Sequence, residues 1–322
     1  MTALDFLIIG AQKCATTTLF ELLRQHRELQ LPLEKEVPFF TETSADGSDA
    51  AAWARFARRY FAADGRRIGK VTPQYMADAR VPRRLAALMP DCRLIAVLRD
   101  PLERSYSHFR MAQRRGTETR DFAAAMAPLL DPCQQQRARS GSPPRHAQGY
   151  EPEADYYLAW SEYGRILTDY RRCFGAQQLL VIYSEELQDN PRQVLQRVLR
   201  FIGVSTDFHP RGLGEVMHAG GGGNRLPPAL RVWLRELGPV AALWRRVPPQ
   251  LQGRLRFLYE RWNARSTGQR PELPADLEAA LRHHLRADLD RLLDLGCPGP
   301  PWQERYPEPV LRPRAAAPSA GA

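Results

Sequence analysis

The stretch that decides the fold is Asp5-Phe-Leu-Ile-Ile-Gly10-Ala-Gln-Lys13-Cys-Ala-Thr16-Thr17-Thr18-Leu-Phe20. Four apolar residues, Phe6 to Ile9, precede a turn of small residues, one Lys, three Thr and a helical pattern. That order reads as a buried strand, a phosphate-cradling loop and the first turn of a helix. Backbone N–H groups at a helix start lack intrahelical partners and carry the positive end of the helix dipole. Lys13 adds a mobile charge and the Thr hydroxyls add hydrogen bonds. The stretch reads as an anion site suited to a nucleotide phosphate, with an ordinary strand-to-helix turn as the plainer alternative. It departs from the P-loop of NTPases, which needs Gly directly before the Lys. Here Gln12 stands in that position and Gly10 lies three residues back.

At 322 residues the chain can bury a sizeable core as one large domain or two small ones. Its hydrophobic fraction of 43% and aromatic fraction of 9% suit a globular enzyme. No apolar run nears the roughly 20 residues that span a bilayer. The start lacks a basic region and a cleavage site, so a cytoplasmic location is expected. The five cysteines, Cys14, Cys92, Cys133, Cys173 and Cys297, are scattered and form no C-x-x-C. That argues against a disulfide framework and a zinc site, and no metal is expected.

A net charge of +10 and a pI near 9.7 favour anionic ligands. The basic residues are spread out, with no aromatic-interleaved cluster, which argues against nucleic acid. Of the 46 basic residues, 43 are Arg and three are Lys: Lys13, Lys35 and Lys70. With abundant Ala and Pro, this is the bias of a GC-rich genome. A Lys kept in such a chain marks a position where a compact ammonium serves better than Arg's planar fork. All three lie in the first 70 residues, within or beside candidate motifs.

Further along, Thr18 to His26 is helical, 29–40 is irregular, and 50–62 is an amphipathic helix. Ile68 to Met76 reads as a short strand running into a loop, and 81–89 as a helix. Cys92 to Leu98 is a core strand stopped by Arg99-Asp-Pro101, and Pro101 opens a helix to about Arg115. Residues 131–153 lack periodicity and read as a mobile insertion or lid. A helix over 155–174, a strand from Leu179 to Tyr183 and a helix over 191–202 come next. Gly220 to Arg225 is a backbone-exposing turn. Helices are expected at 227–246, 250–264 and 274–295, so 227–300 is a helical C-terminal part. The tail at 307–322 is Pro/Ala-rich and expected to be disordered. Alternating strands and helices imply a parallel sheet covered on both faces, in a single α/β domain over 1–306.

At Leu94-Ile-Ala-Val-Leu-Arg99-Asp-Pro-Leu-Glu-Arg104-Ser-Tyr106-Ser107-His108-Phe109 the chain resembles sulfotransferases that use 3′-phosphoadenosine 5′-phosphosulfate (PAPS). The resemblance is to the branch of heparan-sulfate and bacterial carbohydrate enzymes. Arg-Asp-Pro-x-x-Arg-x-Tyr-Ser-His-Tyr is that family's 3′-phosphate motif, with Phe109 replacing its last Tyr. The opening loop resembles the family's 5′-phosphosulfate loop. Glu36-Val-Pro-Phe-Phe, Thr72-Pro-Gln-Tyr75 and Ser184-Glu-Glu-Leu187 agree in order, and Leu285 to Trp302 resembles the closing Asp-x-x-x-Leu…Trp pattern. The similarity reaches from residue 5 to about 205. It implies a P-loop-NTPase-like three-layer sandwich with a central parallel sheet flanked by helices.

By resemblance, PAPS is the co-substrate and its 3′,5′-bisphosphate (PAP) the product. The acceptor is a hydroxyl of a sugar, glycan, lipid or secondary metabolite. Gly10, Gln12, Lys13, Cys14, Ala15, Thr16 and Thr17 hold the 5′ end, with Lys13 donating to the leaving oxygen. Ala15 and Cys14 stand where the family often has Gly. Arg99 suits the 3′-phosphate, its alternative being a salt bridge with Asp100 or Glu103. Ser107 lies roughly two helical turns further on. His108 reads as a packed helix residue. Glu36 maps to the general base, with Glu34 as runner-up and a surface pair with Lys35 as the plainer reading. Lys70 either contacts the acceptor or is a solvated strand end. Many relatives have Arg at the position of Thr17 and Lys directly before Thr-Pro, where this chain has Val71. Glu185 and Glu186 read as structural. Asn224 and Arg225 fall where relatives close over the 3′-phosphate. The rival readings are a P-loop-type nucleotide kinase and a non-catalytic nucleotide-binding protein.

Overall fold

Aliphatic strands with no polar face need cover on both sides, and the computed structural model shows how the chain provides it. The structure describes residues 3–41, 50–140, 153–215 and 270–308. Five strands, β1 (Phe6–Gly10), β2 (Leu29–Gln30), β3 (Arg67–Val71), β4 (Arg93–Leu98) and β5 (Leu179–Tyr183), form one parallel sheet. Their order is β2-β3-β1-β4-β5. The sheet is flanked by helices: the implied three-layer α/β architecture is the observed one. Every residue of β1 is buried. Burying each of its large apolar side chains contributes roughly 2 kcal/mol relative to exposure. Ile8 pairs with Val71 on one side and Ile95 on the other. Phe6 pairs with Gly69, and a Cβ there would lie 1.9 Å from the Phe6 ring. Only glycine allows the two strands to pair with that ring in place.

The chain first moves from β1 to one side of the sheet, through β2 and β3, and then crosses to β4 and β5. The connections leaving β1 and β4 therefore diverge, opening a crevice at the carboxyl ends of two neighbouring strands. From β1 the chain enters α1 (Thr16–Leu23), and from β4 it enters α4 (Pro101–Arg115). Between them lie α2 (Ala50–Tyr60) and α3 (Val81–Leu88). After α4 come α5 (Phe122–Met126), α6 (Pro132–Ser140) and α7 (Tyr163–Arg171). Beyond β5 are α8 (Ser184–Asp189) and α9 (Pro191–Ile202), whose Val194, Leu195, Val198, Leu199 and Ile202 form one buried stripe.

The last long helix, α10 (Ala275–Asp294), packs on α7 through Leu281, Leu285, Leu289 and Leu292. Its Asp288 carboxylate accepts 2.8 Å bonds from the amides of Gly164 and Arg165, supplying the cap that the start of α7 lacks locally. A Cβ on residue 164 would come within 2.1 Å of the Asp288 carbonyl oxygen, so this approach too depends on glycine.

Two expected elements differ. The helix read over 155–174 is two 3-10 turns, Ala154–Tyr156 and Ala159–Ser161, followed by α7. The cause is Arg104, fully buried, whose guanidinium donates to the Tyr157 carbonyl and to Ser161 Oγ. A continuous helix would use that carbonyl internally. Residues 132–140 of the expected insertion form α6, with one buried residue, Ala138. Polar contacts anchor it instead: Arg139 pairs with Glu162, and Gln135 lies 3.4 Å from His284. The 29–40 segment contributes β2, and α5 and α8 appear where no helix was expected. Residues 141–153 except Glu153, the helices read at 227–246 and 250–264, and all but the first two residues of the 307–322 tail lie outside the described residues.

Glu162 joins three of these pieces. Burial opposes its ionisation, but hydrogen bonds from His284 and Arg139 and the charge of Arg165 bring its carboxyl down to about 2. Its stabilisation is present above the ordinary carboxyl range and is lost as pH falls from about 4.5 towards 2. Glu162→Gln should therefore cost about 3 kcal/mol at neutral pH. Denaturant melts at pH 7 and pH 3 should show the gap to wild type closing in acid; an unchanged gap would remove Glu162 as the cause.

Candidate active site

The connection leaving β1 is tied down at its first step, where Ala11 N donates to Val97 O of β4 at 2.7 Å. Lys13 and Ala15 then take left-handed backbone angles, with φ of 72° and 59°. Such alternation turns successive amides towards one concavity, an anion-binding nest. Ala15 is also the N-cap of α1 and has no side chain to bond the free amides of the first turn. Those donors are left for a ligand. Gly10 is required at the entrance, since a Cβ there would meet Met76 Cβ at 2.6 Å and the Pro73 carbonyl at 2.9 Å.

The loop side chains divide by direction. Cys14 is buried beneath the loop, 3.8 Å from Tyr163 OH, and burial pushes its thiol up to about 11. It can serve a ligand only through its backbone. Gln12 is buried and its Oε1 has no hydrogen-bond partner among the described residues. Lys13 is half-buried. Burial first, then the charges of Arg114, Arg115 and Lys35, lower its pKa to about 7 against the opposing pull of Glu36. It is therefore only partly charged at neutral pH.

Lys35 reaches across to the start of α1. Its Nζ donates to Thr17 Oγ1 at 2.8 Å, Thr16 Oγ1 at 3.2 Å and Glu36 Oε1 at 3.1 Å. The second oxygen of Glu36 accepts from Gln74 Nε2 at 2.9 Å. Burial works against the Glu36 carboxylate, but Lys35, Gln74 and Arg115 together hold its pKa below the usual value. Glu34 is exposed and forms no hydrogen bond or ion pair among the described residues. Glu36, unlike Glu34, is thus joined through Lys35 to the start of α1, and its pairing with Lys35 sits there rather than on an idle surface.

The segment after Glu36 is anchored by Tyr75. The amides of Phe39 and Phe40 donate to its hydroxyl at 2.7 and 3.2 Å, and both rings pack with Trp53. Lys70 donates to the same hydroxyl at 2.9 Å and to Thr72 Oγ1, with its ammonium 4.4 Å from the Tyr75 ring centre. Lys70 is fully buried. The reading of a solvated strand end is corrected: the ammonium is enclosed and braces the segment carrying Glu36.

Directly after β4, Arg99 is 34% exposed, and its ion pair with Glu103 spans 3.8 Å. Its charge acts on Cys14 beneath the loop. Asp100 caps α4 through the amides of Leu102 and Glu103 and also receives Tyr306 OH at 2.8 Å and Arg305 at 3.2 Å. It is therefore engaged elsewhere than with Arg99. Ser107, half-buried on α4, has no partner among the described residues. His108 is buried against Arg104 and Glu153, and burial lowers its pKa to about 4, as suits a neutral packed residue. Glu185 accepts from the Asp100 amide and Glu186 pairs with Arg197, both structural as expected. A small open recess beside α1 is lined by Ala15, Thr18, Leu22, Leu187, Pro191 and Glu215, among others. Asn224 and Arg225 lie outside the described residues.

Sequence reasoning assigned no site role to Gln74 or Lys35, although Gln74 lies inside the Thr72-Pro-Gln-Tyr75 motif and Lys35 was marked by the scarcity of Lys and as a partner for Glu36.

A family model described as a sulfotransferase domain matches residues 4–217. Over 206 residues the chain is 28% identical to human heparan sulfate glucosamine 3-O-sulfotransferase 6, covering 63% of this chain and 54% of that protein. Over 216 residues it is 27% identical to human heparan sulfate glucosamine 3-O-sulfotransferase 3B1, covering 63% and 47%. The chain thus spans about half the length of the curated relatives it matches. A crystal structure of a sulfotransferase from Alicyclobacillus acidocaldarius superposes with a TM-score of 0.53 and 26% identity, over 77% of this chain and 98% of that one.

Ala15 carries a side chain in a left-handed conformation that glycine adopts freely. Ala15→Gly should raise unfolding stability by about 1 kcal/mol. A lower melting temperature for this variant would show that the loop is relaxed with alanine in place.

Proposed function

The chain belongs to the sulfotransferase-domain family, and from that premise we propose that it carries a sulfuryl group from PAPS to a hydroxyl of a sugar, lipid or secondary metabolite. The observation that carries the reading is the joining of an anion nest to a carboxylate by one ammonium. Lys35 Nζ bonds the Thr17 hydroxyl at 2.8 Å and Glu36 at 3.1 Å. An anionic donor and a group able to take a proton are thereby brought within one hydrogen-bond network.

PAPS carries anions at both ends of a nucleoside. The free amides at the start of α1, with Lys13, Thr16 and Thr17, take the phosphosulfate. Arg99 and Ser107 take the 3′-phosphate, where a fork donor gives charge-assisted bonds. The recess beside α1 offers the nucleoside an apolar wall. The acceptor oxygen attacks sulfur, in line with the leaving group, while Glu36 takes its proton. As the new S–O bond forms, the bond from sulfur to the 5′-phosphate oxygen breaks and its electron pair stays on that oxygen. Lys13 stabilises the charge developing there. The products are a sulfate ester and adenosine 3′,5′-bisphosphate. The two human relatives are named for a glycan acceptor, which makes a sugar hydroxyl the first choice to test.

Three outcomes are expected. Adenosine 3′,5′-bisphosphate at a hundredfold over Kd should stabilise the protein by about 2.7 kcal/mol in thermal melts. ATP should not, and stabilisation by ATP alone would favour the kinase reading. Arg99→Ala should weaken bisphosphate binding, and unchanged affinity would move the 3′-phosphate elsewhere.

Because Lys13 titrates near 7 when no anion is bound, bisphosphate affinity should decline as pH rises above about 7. Calorimetry on Lys13→Ala should show this dependence lost. In labelled-sulfate transfer to a panel of hydroxyl acceptors, Lys13→Ala and Glu36→Gln should each lose at least roughly a hundredfold in rate. Normal turnover in Glu36→Gln would remove it as the base.

A further inference from the structure

An ammonium has three N–H donors, and Lys35 commits all three within the chain, to Thr16, Thr17 and Glu36. Two of those acceptors stand on the first turn of α1, where the backbone amides await an anion. The third is the carboxylate proposed as the base. Lys35 is thus bonded to both halves of the reaction before any donor is present. A phosphosulfate entering the start of α1 meets the ammonium directly and competes with Glu36 for it.

We propose that Lys35 senses the donor. Without donor, its ammonium ties Glu36 to the hydroxyls of Thr16 and Thr17; an entering phosphosulfate oxygen takes over the ammonium and frees the carboxylate to receive the acceptor's proton. The inference rests on the donor reading above. It adds an order to the reaction: the base becomes competent only once the donor is seated.

The surroundings support a mobile contact. The Glu36 side chain is 42% exposed, so its carboxylate has room to change partners, while the more enclosed Lys35 keeps a 16% exposed edge towards the start of α1. The second oxygen of Glu36 keeps its bond from Gln74, so the carboxylate remains aimed when Lys35 leaves. The other charges facing Glu36 are Arg115 of α4 and Lys13 of the loop. Lys13 is then also the cation that remains for the leaving oxygen. An Arg in place of Lys35 would spread its donors over a planar fork and could not gather three acceptors around one nitrogen.

The test is a double-mutant cycle read by calorimetry with adenosine 3′,5′-bisphosphate, with adenosine 3′-monophosphate as control. Lys35→Met should weaken the bisphosphate roughly tenfold or more while leaving the 3′-monophosphate unchanged, which also shows that the variant is folded. Lys35→Gln serves as a second variant. Glu36→Gln should tighten the bisphosphate several-fold, because the competing carboxylate is gone. In the Lys35→Met background that gain should vanish. A gain of equal size in both backgrounds would mean simple charge repulsion without exchange of partners, and would overturn the proposal. So would undiminished bisphosphate affinity in Lys35→Met. If the wild-type protein binds no bisphosphate at all, the donor assignment itself fails, an outcome distinct from either.

Discussion

Three donors converge on one buried oxygen, the hydroxyl of Tyr75: the ammonium of Lys70 and the amides of Phe39 and Phe40. Removing an ammonium from water costs several kcal/mol unless its donors find good partners. Lys70 therefore fixes Tyr75 as firmly as Tyr75 fixes Lys70, with Thr72 and the aromatic ring completing the shell. Because Phe39 and Phe40 hang from the same atom, the segment after β2 has one way to lie against the sheet. Glu36, three residues before Phe39, is aimed as a consequence. Gln74, next to Tyr75, then meets the Glu36 carboxylate from the opposite side to Lys35.

The electrostatics of the crevice derive from that arrangement. Lys13, Lys35, Arg114 and Arg115 act on one another around the loop, and Glu36 is the carboxylate set among them. Burial and the repulsion of its neighbours bring the Lys13 pKa down to about 7, so it is only partly charged on its own at neutral pH. A dianion entering such a site restores that charge and relieves the repulsion, so ligand and protein stabilise each other's ionised forms. The chain retains Lys at three positions, and two of them surround this point while the third supports it from below. In each case the ammonium is used as a compact centre: buried over a ring, gathered among three oxygens, or folded into a tight loop.

Much of this was legible in the sequence. Apolar runs with turn residues at their ends mark β1, β4 and β5. The helix after Asp100-Pro101 starts where a capping Asp and an N1 Pro require. Lys13, Arg99, Ser107 and Glu36 could be singled out because their motifs are local. The features that could not be read depend on partners far apart in the chain. Lys35 meets hydroxyls 18 and 19 residues away. Lys70 looks like any strand-end cation until the aromatic slot around it is known. The helix at 132–140 has no apolar stripe and is held by an ion pair to Glu162, which no periodicity reveals. The break before α7 is set by a guanidinium more than fifty residues upstream.

The Asp100 carboxylate also bears on the order in which the crevice can form. It is completed by the hydroxyl of Tyr306, 206 residues later in the chain, just as the start of α7 is completed by Asp288. All five strands have left the ribosome by the time residue 183 is clear of the exit tunnel, yet the corner carrying Arg99 still lacks its last partner. A nascent chain can assemble the sheet, the anion nest and the Asp100 cap of α4 before Tyr306 is available, so the Tyr306 bond joins a corner that is otherwise complete. The chain's late segment thus closes over the Arg99 corner from outside instead of building it.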